Sequence, residues 1–344
     1  MRKKHQAPAT RHRFIALFGF LGVFLLLPPG ARAGDPPTLE MPIRCIPGQD
    51  CWLVNYVDLD PGTGVRDYTC AKASYDGHKG TDIAIVDAAA MRDGVPVYAA
   101  AAGIVRGARN TMKDINFKQN GGRDSVANRE CGNGALIDHG DGWETQYCHM
   151  MKGSVIVRPG DKVSSGRQLG LVGLSGLTEF PHIHMQVKYK GEIVDPFVGL
   201  KRKTDCGAGE NPLWSDQAIA AMAYRPTAIF KAGFASTTPN SRFAREGLYG
   251  EEYLLDTSPV IALWADMYWV KAGDKITFLI VGPDGKSLVG HSSVLKKPEA
   301  RRFVFAGLRR KDTGWIKGSY TGTITLTRPG TDETISVVRV IDVN

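Results

Sequence analysis

The stretch GALIDHGDGWETQYCHM, residues 134–150, decides the fold class of this chain. Its two halves are apolar or alternate between apolar and polar residues, and Gly140, Asp141 and Gly142 lie near their junction. Such patterns are typical of strands, and Gly and Asp favour tight turns. The stretch therefore predicts an antiparallel β-hairpin.

Further strand candidates lie on both sides of this hairpin. They are residues 95–106, 182–189, 275–291 (itself a hairpin), 301–308, 319–330 and 334–343. Gly accounts for 40 of the 344 residues, a content that favours many tight turns over a helical bundle. We therefore predict a mainly β fold, in which a domain built on an antiparallel β-sheet is followed by a small β-sandwich domain.

Changes in composition divide the chain into five segments. They are a signal peptide (1–33), a Cys-containing N-terminal extension (34–74), the β-sheet domain (75–200), a linker (201–223) and an immunoglobulin-like β-sandwich (224–344). The polar residues 109–131 resemble an inserted loop, and residues 215–223 are compatible with one short helix. Four aromatic side chains of the last segment are predicted to lie in its core, namely Trp264, Tyr268, Trp269 and Trp315.

The N-terminal segment has the organisation of a secretory signal peptide. Residues 1–13 are basic, an apolar run of 14 residues follows at 14–27, and the ARA sequence at 31–33 is an A-x-A cleavage site. The apolar run is shorter than the roughly 20 residues that a membrane-spanning helix needs. We therefore predict cleavage before Gly34 and export to the periplasm or the cell exterior. An uncleaved membrane anchor is the alternative.

The charge distribution argues against a nucleic-acid-binding protein. The net charge is +8, but six basic residues and no acidic residue lie in residues 1–33, so the remainder carries only +2. A near-neutral chain lacks the large basic surface that nucleic-acid binding requires. We therefore expect no nucleic-acid partner and, after cleavage, no membrane span.

All six cysteines follow the predicted signal peptide, at positions 45, 51, 70, 131, 148 and 206. An even number of cysteines in an exported chain favours disulfides. Cys45 and Cys51 flank a turn-like Pro-Gly pair, and Cys131 and Cys148 could face each other across the predicted hairpin. We predict these two disulfides. Metal binding by cysteines is the alternative, although the chain contains no C-x-x-C motif.

The histidines indicate a metal site. Five of the six histidines that follow the signal peptide lie within residues 78–184. His78 and Asp82 are four residues apart, and His182 and His184 are two apart, so that on a strand both rings point to one face. Catalytic zinc is usually held by three imidazole or carboxylate ligands, which leaves one position open. His149 ends another strand candidate and supplies a further polar group.

Six motifs occur here in a characteristic order. They are HKGTD (78–82), GVPVYAAAAGIV (94–105), IDHGDGWETQYCH (137–149), GDKVSSGRQLGLVGLSG (160–176), HIH (182–184) and GEIVDP (191–196). Together they resemble the lysostaphin/LytM-like zinc peptidases, a family of bacterial cell-wall endopeptidases. The resemblance covers about residues 75–200 and implies a LytM-like antiparallel β-sheet domain of the duplicated hybrid type.

The resemblance also implies roles for individual residues. It implies that His78, Asp82 and His184 hold one zinc ion per chain. It implies that His149 and His182 are the catalytic pair near the metal-bound water, without deciding how they divide the work.

Two other histidines receive no role in this chemistry. His139 matches a family position with no zinc role and is expected to be structural. His291 lies outside the resemblance and is expected at the surface.

The chain departs from the family pattern in three places. The approach to the HIH motif reads LTEFP, with Glu179 and Phe180, instead of a Ser-Thr-Gly-rich segment. MQV at 185–187 replaces F-E-V, and residues 85–94 and 109–131 resemble insertions. These differences affect the predicted groove walls and leave the five metal and catalytic positions intact.

The expected function is that of an exported zinc endopeptidase that hydrolyses the peptide cross-links of peptidoglycan, with peptidoglycan stem peptides as its binding partner. Two alternatives remain open: a non-catalytic regulator or activator of wall hydrolases on the same fold, and a zinc hydrolase that acts on proteins. The predicted C-terminal domain could bind a protein regulator, or it could serve as a stabilising spacer.

Overall fold

The structure is a computed structural model that describes Met1 and residues 35–201, 206–311, 313–331 and 333–344. Pro36–Asn344 forms one compact unit. The predicted signal peptide lies, apart from Met1, outside the described residues, so export stays a prediction. Among the described residues, no helix combines the length and the apolar character that crossing a membrane requires.

An antiparallel β-sheet of eight strands dominates the described range 35–201. The strands of this range are, in chain order, β1 (Cys51–Asn55), β2 (Thr81–Ile85), β3 (Pro96–Tyr98), β4 (Gly103–Arg109), β5 (Asn133–Gly140), β6 (Trp143–Met150), β7 (Lys162–Val163), β8 (Gln168–Leu171), β9 (His182–Tyr189) and β10 (Glu192–Ile193). The main sheet has the order β1-β2-β9-β6-β5-β4-β7, with β10 paired to β9, while β3 and β8 form a separate pair. All of these pairs are antiparallel.

The hairpin predicted at residues 134–150 is confirmed. β5 and β6 pair antiparallel, and the turn between them contains Gly140, Asp141 and Gly142, each with a positive φ. Ile137 and Tyr147 are fully buried on one face of the hairpin. The alternation of the sequence therefore fixes which face of the two strands packs against the core.

The two faces of the main sheet have different roles. Ile83 of β2 and Ile183 and Met185 of β9 are buried in the main hydrophobic core. Because successive residues of a strand point to opposite faces, Asp82 and His184 lie on the other face. The sheet therefore separates an apolar face that supports the fold from a polar face that carries the candidate site.

Two further sheets lie in the described part of residues 206–344. Their strands are β11 (Ala228–Ala235), β12 (Tyr253–Leu254), β13 (Val260–Val270), β14 (Lys275–Val281), β15 (Ser287–Val294), β16 (Glu299–Arg309), β17 (Gly318–Thr327) and β18 (Thr334–Val343). The smaller sheet has the order β11-β13-β16, and the larger one β12-β18-β17-β14-β15. Leu263 of the smaller sheet and Phe278 and Ile324 of the larger sheet share one hydrophobic core. The mainly β fold with antiparallel sheets is thus confirmed, while the domain boundaries and the immunoglobulin-like class stay predictions.

A second, smaller core joins the main sheet to the smaller C-terminal sheet. We call it the junction core, and it consists of Trp52, Val54, Ala84, Ala228, Phe230 and Tyr268. Trp269 of β13 reinforces it, because its indole N–H donates a hydrogen bond to the carbonyl of Val54. The junction core lies on the same face of β2 as Asp82, and therefore beside the candidate site.

Short helices and disulfides complete the described structure. The helices are α1 (Ala88–Asp93), α2 (Asp216–Ala221) and α3 (Ser241–Glu246), with two short 3₁₀ helices at Phe117–Gln119 and Arg123–Val126 in the inserted loop. The predicted disulfides Cys45–Cys51 and Cys131–Cys148 are confirmed, and Cys70–Cys206 is the third. The predicted short helix corresponds to α2. Of the aromatic residues predicted to be core, Trp264 and Tyr268 are buried, whereas Trp269 and Trp315 are half-buried.

Candidate metal centre

The three predicted ligands come together on the polar face of the main sheet. Asp82 of β2 lies directly opposite His184 of β9, and His78 lies in the loop that enters β2. The distance between His78 Nε2 and His184 Nδ1 is 3.1 Å. Asp82 Oδ1 lies 3.2 Å from His78 Nε2 and 2.8 Å from His184 Nδ1. Strand pairing thus assembles a triangle of donor atoms from residues that are 106 positions apart.

The size and chemistry of this triangle fit a zinc ion. Zinc binds imidazole nitrogen and carboxylate oxygen at about 2.0–2.2 Å, so neighbouring ligand atoms of a tetrahedral site are roughly 3.3 Å apart. The three observed separations are close to that value. The side chains of His78 and Asp82 are 1% and 3% exposed, whereas that of His184 is 14% exposed. The open side of the triangle is therefore the side of His184.

Two residues outside the predicted motifs orient the ligands. The Nδ1–H of His78 donates to the carbonyl of Tyr56 at 2.7 Å, which leaves Nε2 free to bind a metal. The Nδ2 of Asn55 donates to Asp82 Oδ2 at 2.8 Å, which leaves Oδ1 facing the two imidazoles. Both come from the predicted Cys-containing N-terminal extension, part of which forms strand β1. No sequence pattern marks them, because a strand register and a backbone carbonyl set their contacts.

Gly80 of the HKGTD motif lies so close to the site that a side chain at this position would collide with it. A Cβ atom there would lie 2.6 Å from the carbonyl of Met185 and 2.7 Å from His184 Nε2. The glycine therefore allows the loop that carries His78 to pass close to the ring of His184.

The rings of His149 and His182 line the same site. Their centroids are 4.7 Å apart, and that of His149 is 5.9 Å from the ring of His184. His149 Nδ1 lies 2.8 Å from the carbonyl of Ser175, and His182 Nδ1 lies 3.0 Å from the carbonyl of Phe180. Because a carbonyl only accepts hydrogen bonds, each Nδ1 carries the proton. A ring that carries only this proton keeps its lone pair on Nε2.

The backbone of His149 is held in an uncommon conformation. Its φ of 63° lies in the left-handed region, which is unusual for a residue other than Gly. The backbone N–H of His149 donates to the carbonyl of Cys131 at 2.7 Å, and Cys131 is bonded to the neighbouring Cys148. The disulfide and this hydrogen bond hold the conformation, which directs the ring toward the site.

Burial and mutual contact shift the pKa values of these groups. Burial alone would raise the pKa of the Asp82 carboxyl, but the adjacent imidazoles of His78, His182 and His184 hold it well below its ordinary value. Burial lowers the pKa of the His149 imidazole well below its ordinary value, and His182 and His184 add to the effect. Asp82 is therefore an anionic group that could act as a metal ligand, and His149 is a neutral ring.

The other two histidines lie outside this cluster. His139 of β5 bonds the carbonyl of Ala102 through Nδ1 at 2.7 Å and the hydroxyl of Thr145 through Nε2 at 2.8 Å. Both ring nitrogens are thus used within the fold. His291 of β15 is exposed, as predicted.

Part of the chain is similar in sequence to known proteins. Residues 76–196 match Peptidase family M23. The peptidoglycan DD-endopeptidase ShyA of Vibrio cholerae is 32% identical over 118 residues, which are 34% of this chain and 22% of that protein. The cell division protein DipM of Caulobacter vibrioides is 38% identical over 77 residues, 21% of this chain and 12% of that protein. The chain thus spans well under two thirds of the length of either relative.

Similar solved structures include a zinc-containing peptidase from Vibrio cholerae. It aligns with 42% of this chain and 39% of its own, at 23% identity and a TM-score of 0.27. A TM-score this low supports no argument from the structure. The similarity to Peptidase family M23 therefore rests on the match of residues 76–196.

Proposed function

We propose that this protein, whose residues 76–196 match Peptidase family M23, is an exported, zinc-dependent endopeptidase that hydrolyses the peptide cross-links of peptidoglycan. The observation that carries the proposal is the donor triangle of His78, Asp82 and His184, with two further imidazoles on its border. The similarity to ShyA, a peptidoglycan DD-endopeptidase, supports the substrate class.

The three residues of the triangle would hold one zinc ion per chain. When bound there, zinc supplies Lewis-acid chemistry, since it polarises a carbonyl group and lowers the pKa of water. The protein's own contribution is to fix the ligand atoms. His78 is fixed through its bond to Tyr56, Asp82 through its bond to Asn55, and His184 through its place on β9.

The two remaining histidines handle protons. His149 is neutral because of its burial, and it can accept a proton at Nε2. His182 also carries its proton on Nδ1, and its Nε2 lies 3.5 Å from Asp82 Oδ1. His182 can therefore hold a proton, or return one, next to the donor atoms of the triangle. In this proposal both rings have this capacity, and experiment decides how they divide the work.

The disulfides fit the proposed location. Three disulfides in one chain are typical of an oxidising compartment such as the periplasm or the cell exterior. The apolar run of residues 14–27 supplies the export sequence in this proposal.

Digestion of purified peptidoglycan sacculi tests the proposal. We expect the protein to convert cross-linked muropeptides to monomers, to lose this activity with a chelator and to regain it with zinc, with the products read by mass spectrometry. His184→Ala should abolish zinc binding and activity, while the exposed His291→Ala serves as the matched control.

The alternatives give different outcomes in the same assay. Zinc binding without release from sacculi, together with cleavage of a protein substrate, would indicate a protease. Zinc binding without hydrolysis of either substrate would indicate a regulator.

A further inference from the structure

Phe180 connects the catalytic pair to the smaller C-terminal sheet. Its ring lies 4.7 Å from the ring of His182 at an interplanar angle of 30°, and 6.1 Å from the ring of Tyr268. Its carbonyl accepts the hydrogen bond from His182 Nδ1. One residue therefore contacts the imidazole through both its side chain and its backbone.

Arg301 of β16 fixes Phe180 from the C-terminal side. Its guanidinium carbon lies 5.6 Å from the centroid of Phe180, and 4.9 Å and 5.2 Å from those of Phe230 and Tyr268. A guanidinium within about 6 Å of an aromatic face is attracted to the ring, more strongly where water is excluded. The side chain of Arg301 is only 18% exposed, so this contact is largely shielded from water.

Asp266 of β13 holds the guanidinium in place. Its side chain is 2% exposed, and Oδ2 accepts from Arg301 Nη2 at 2.8 Å and from Nε at 3.1 Å. A chain of contacts thus runs from Asp266 through Arg301 and Phe180 to His182.

The backbone couples the ring of Phe180 to its carbonyl. Pro181 follows, and a residue before proline is restricted to extended conformations. The Thr178 hydroxyl also donates to the carbonyl of Phe180, at 2.8 Å. The ring and the carbonyl that contact His182 thus belong to one residue with a restricted backbone, and the Thr178 hydroxyl, 3.2 Å from His182 Nδ1, is bonded to the same carbonyl.

We propose that Arg301 and Phe180 are positioning residues for His182, so that the C-terminal sheet completes the active site. This inference rests on the proposed peptidase function. It assigns the C-terminal region a part in the reaction beyond that of a spacer. It also gives a reason for Phe180, which stands where the family resemblance leads one to expect a Ser-Thr-Gly-rich segment.

The chain offers a matched control for Arg301. Arg245 of α3 also donates to Asp266 Oδ2, at 3.0 Å, but only Arg301 is found over Phe180. Arg301→Gln and Arg245→Gln each remove one ion pair of Asp266, and the first also removes the contacts with Phe180, Phe230 and Tyr268. Together with the Phe180 variants, which leave both ion pairs in place, the comparison separates positioning from general support of the fold.

The first measurement is steady-state kinetics of the full chain on a purified cross-linked muropeptide. We expect Arg301→Gln to lower kcat by roughly 10–100-fold, as for other residues that orient a metal site, with unchanged zinc content. KM should change less than about threefold, because the lost contact acts on a catalytic group and not on substrate binding. Arg245→Gln should stay within about twofold of the wild type. Phe180→Leu should behave like Arg301→Gln, and Phe180→Tyr, which keeps the ring, should restore kcat.

The second measurement needs no activity. In the protein labelled with ¹⁵N-histidine, NMR at fixed pH reports which ring nitrogen of His182 carries the proton. The wild type and Arg245→Gln should show a single state protonated on Nδ1, whereas Arg301→Gln and Phe180→Leu should show averaged or broadened signals. Unaltered His182 signals and kcat in Arg301→Gln would overturn the inference, as would equal losses in Arg245→Gln.

Failure of the two proposals can be told apart. If the wild type releases no muropeptide, the proposed function is wrong, and the NMR comparison alone decides the positioning of His182. If Arg301→Gln does not fold, Phe180→Leu and Phe180→Tyr decide, and equal kcat values and His182 signals in these two would overturn the inference.

Discussion

His149 and His182 reach the same site with the same local arrangement but with different support. Each donates from Nδ1 to a backbone carbonyl and keeps Nε2 for the site. His149 is held by features close to it in the chain, namely its left-handed backbone conformation and the adjacent Cys131–Cys148 disulfide. His182 is held by contacts that reach from the C-terminal sheet to Phe180. Two imidazoles of one candidate site can therefore depend on unrelated parts of one chain.

Removal of either imidazole should have the largest effect. General acid–base groups contribute about 10²–10⁴-fold, so His149→Ala and His182→Ala should each lower kcat on a muropeptide by that order without loss of zinc. The double variant should lose less than the product of the two, since the rings act as a unit. Fully multiplicative losses would contradict a shared role, and metal analysis is the control for an intact ligand triangle.

Asn55→Ala should affect the ligands without disturbing either histidine of the pair. It leaves Asp82 Oδ2 without its amide donor, and loss of such a partner typically weakens metal binding by about 10–100-fold. Competition with a chromogenic chelator measures the affinity. With saturating zinc, activity should approach that of the wild type. A persistent loss of kcat at saturation would show that Asn55 does more than orient Asp82.

Loss of the Cys131–Cys148 disulfide should act on His149 in particular. Cys131→Ala with Cys148→Ala should lower kcat by roughly tenfold, because small displacements of a catalytic group are costly. The matched control replaces both Cys45 and Cys51 with Ala. Because a disulfide restricts the unfolded chain, loss of either disulfide should lower the free energy of unfolding by roughly 2–3 kcal/mol.

Thermal unfolding and ¹⁵N-histidine NMR separate the two effects of this disulfide. The His149 signals should change in the first double variant and not in the control. Similar kinetic losses in both would mean that the disulfides act through stability alone.

His139→Ala should have the smallest effect on activity. The ring bonds the carbonyl of Ala102, and it bonds the hydroxyl of Thr145 in the hairpin that leads to His149. Its loss should lower the free energy of unfolding by about 1–3 kcal/mol, since the carbonyl of Ala102 loses this donor and Thr145 keeps only its bond to Tyr147. Zinc content and kcat should remain those of the wild type. A loss of bound zinc would place His139 in the metal site.

The sequence predicted the parts of the site that short spacings encode. His182 and His184 share a face because strand residues two apart must do so, and HKGTD places His78 four residues before Asp82. The alternation of residues 134–150 predicted the hairpin for the same reason. Two of the three disulfides followed from their turn and hairpin contexts, whereas Cys70 and Cys206, 136 residues apart, had no such context.

The remaining features depend on tertiary contacts that no local pattern encodes. Asn55 meets Asp82 through the register of β1 against β2. The carbonyls of Ser175 and Phe180 fix the two imidazoles, and any residue type supplies a carbonyl. Arg301 reaches Phe180 only after the smaller C-terminal sheet has packed against the main sheet, which is why its sequence position carries no hint of this contact.

The most direct test of the proposed metal centre is a titration of metal-free protein with zinc, with hydrolysis of a cross-linked muropeptide as the readout. We predict that activity rises linearly to one equivalent of zinc per chain and then levels off. We also predict that His184→Ala shows neither tight zinc binding nor activity. Full hydrolysis by metal-free protein, or by His184→Ala, would contradict the assignment of the catalytic centre to His78, Asp82 and His184.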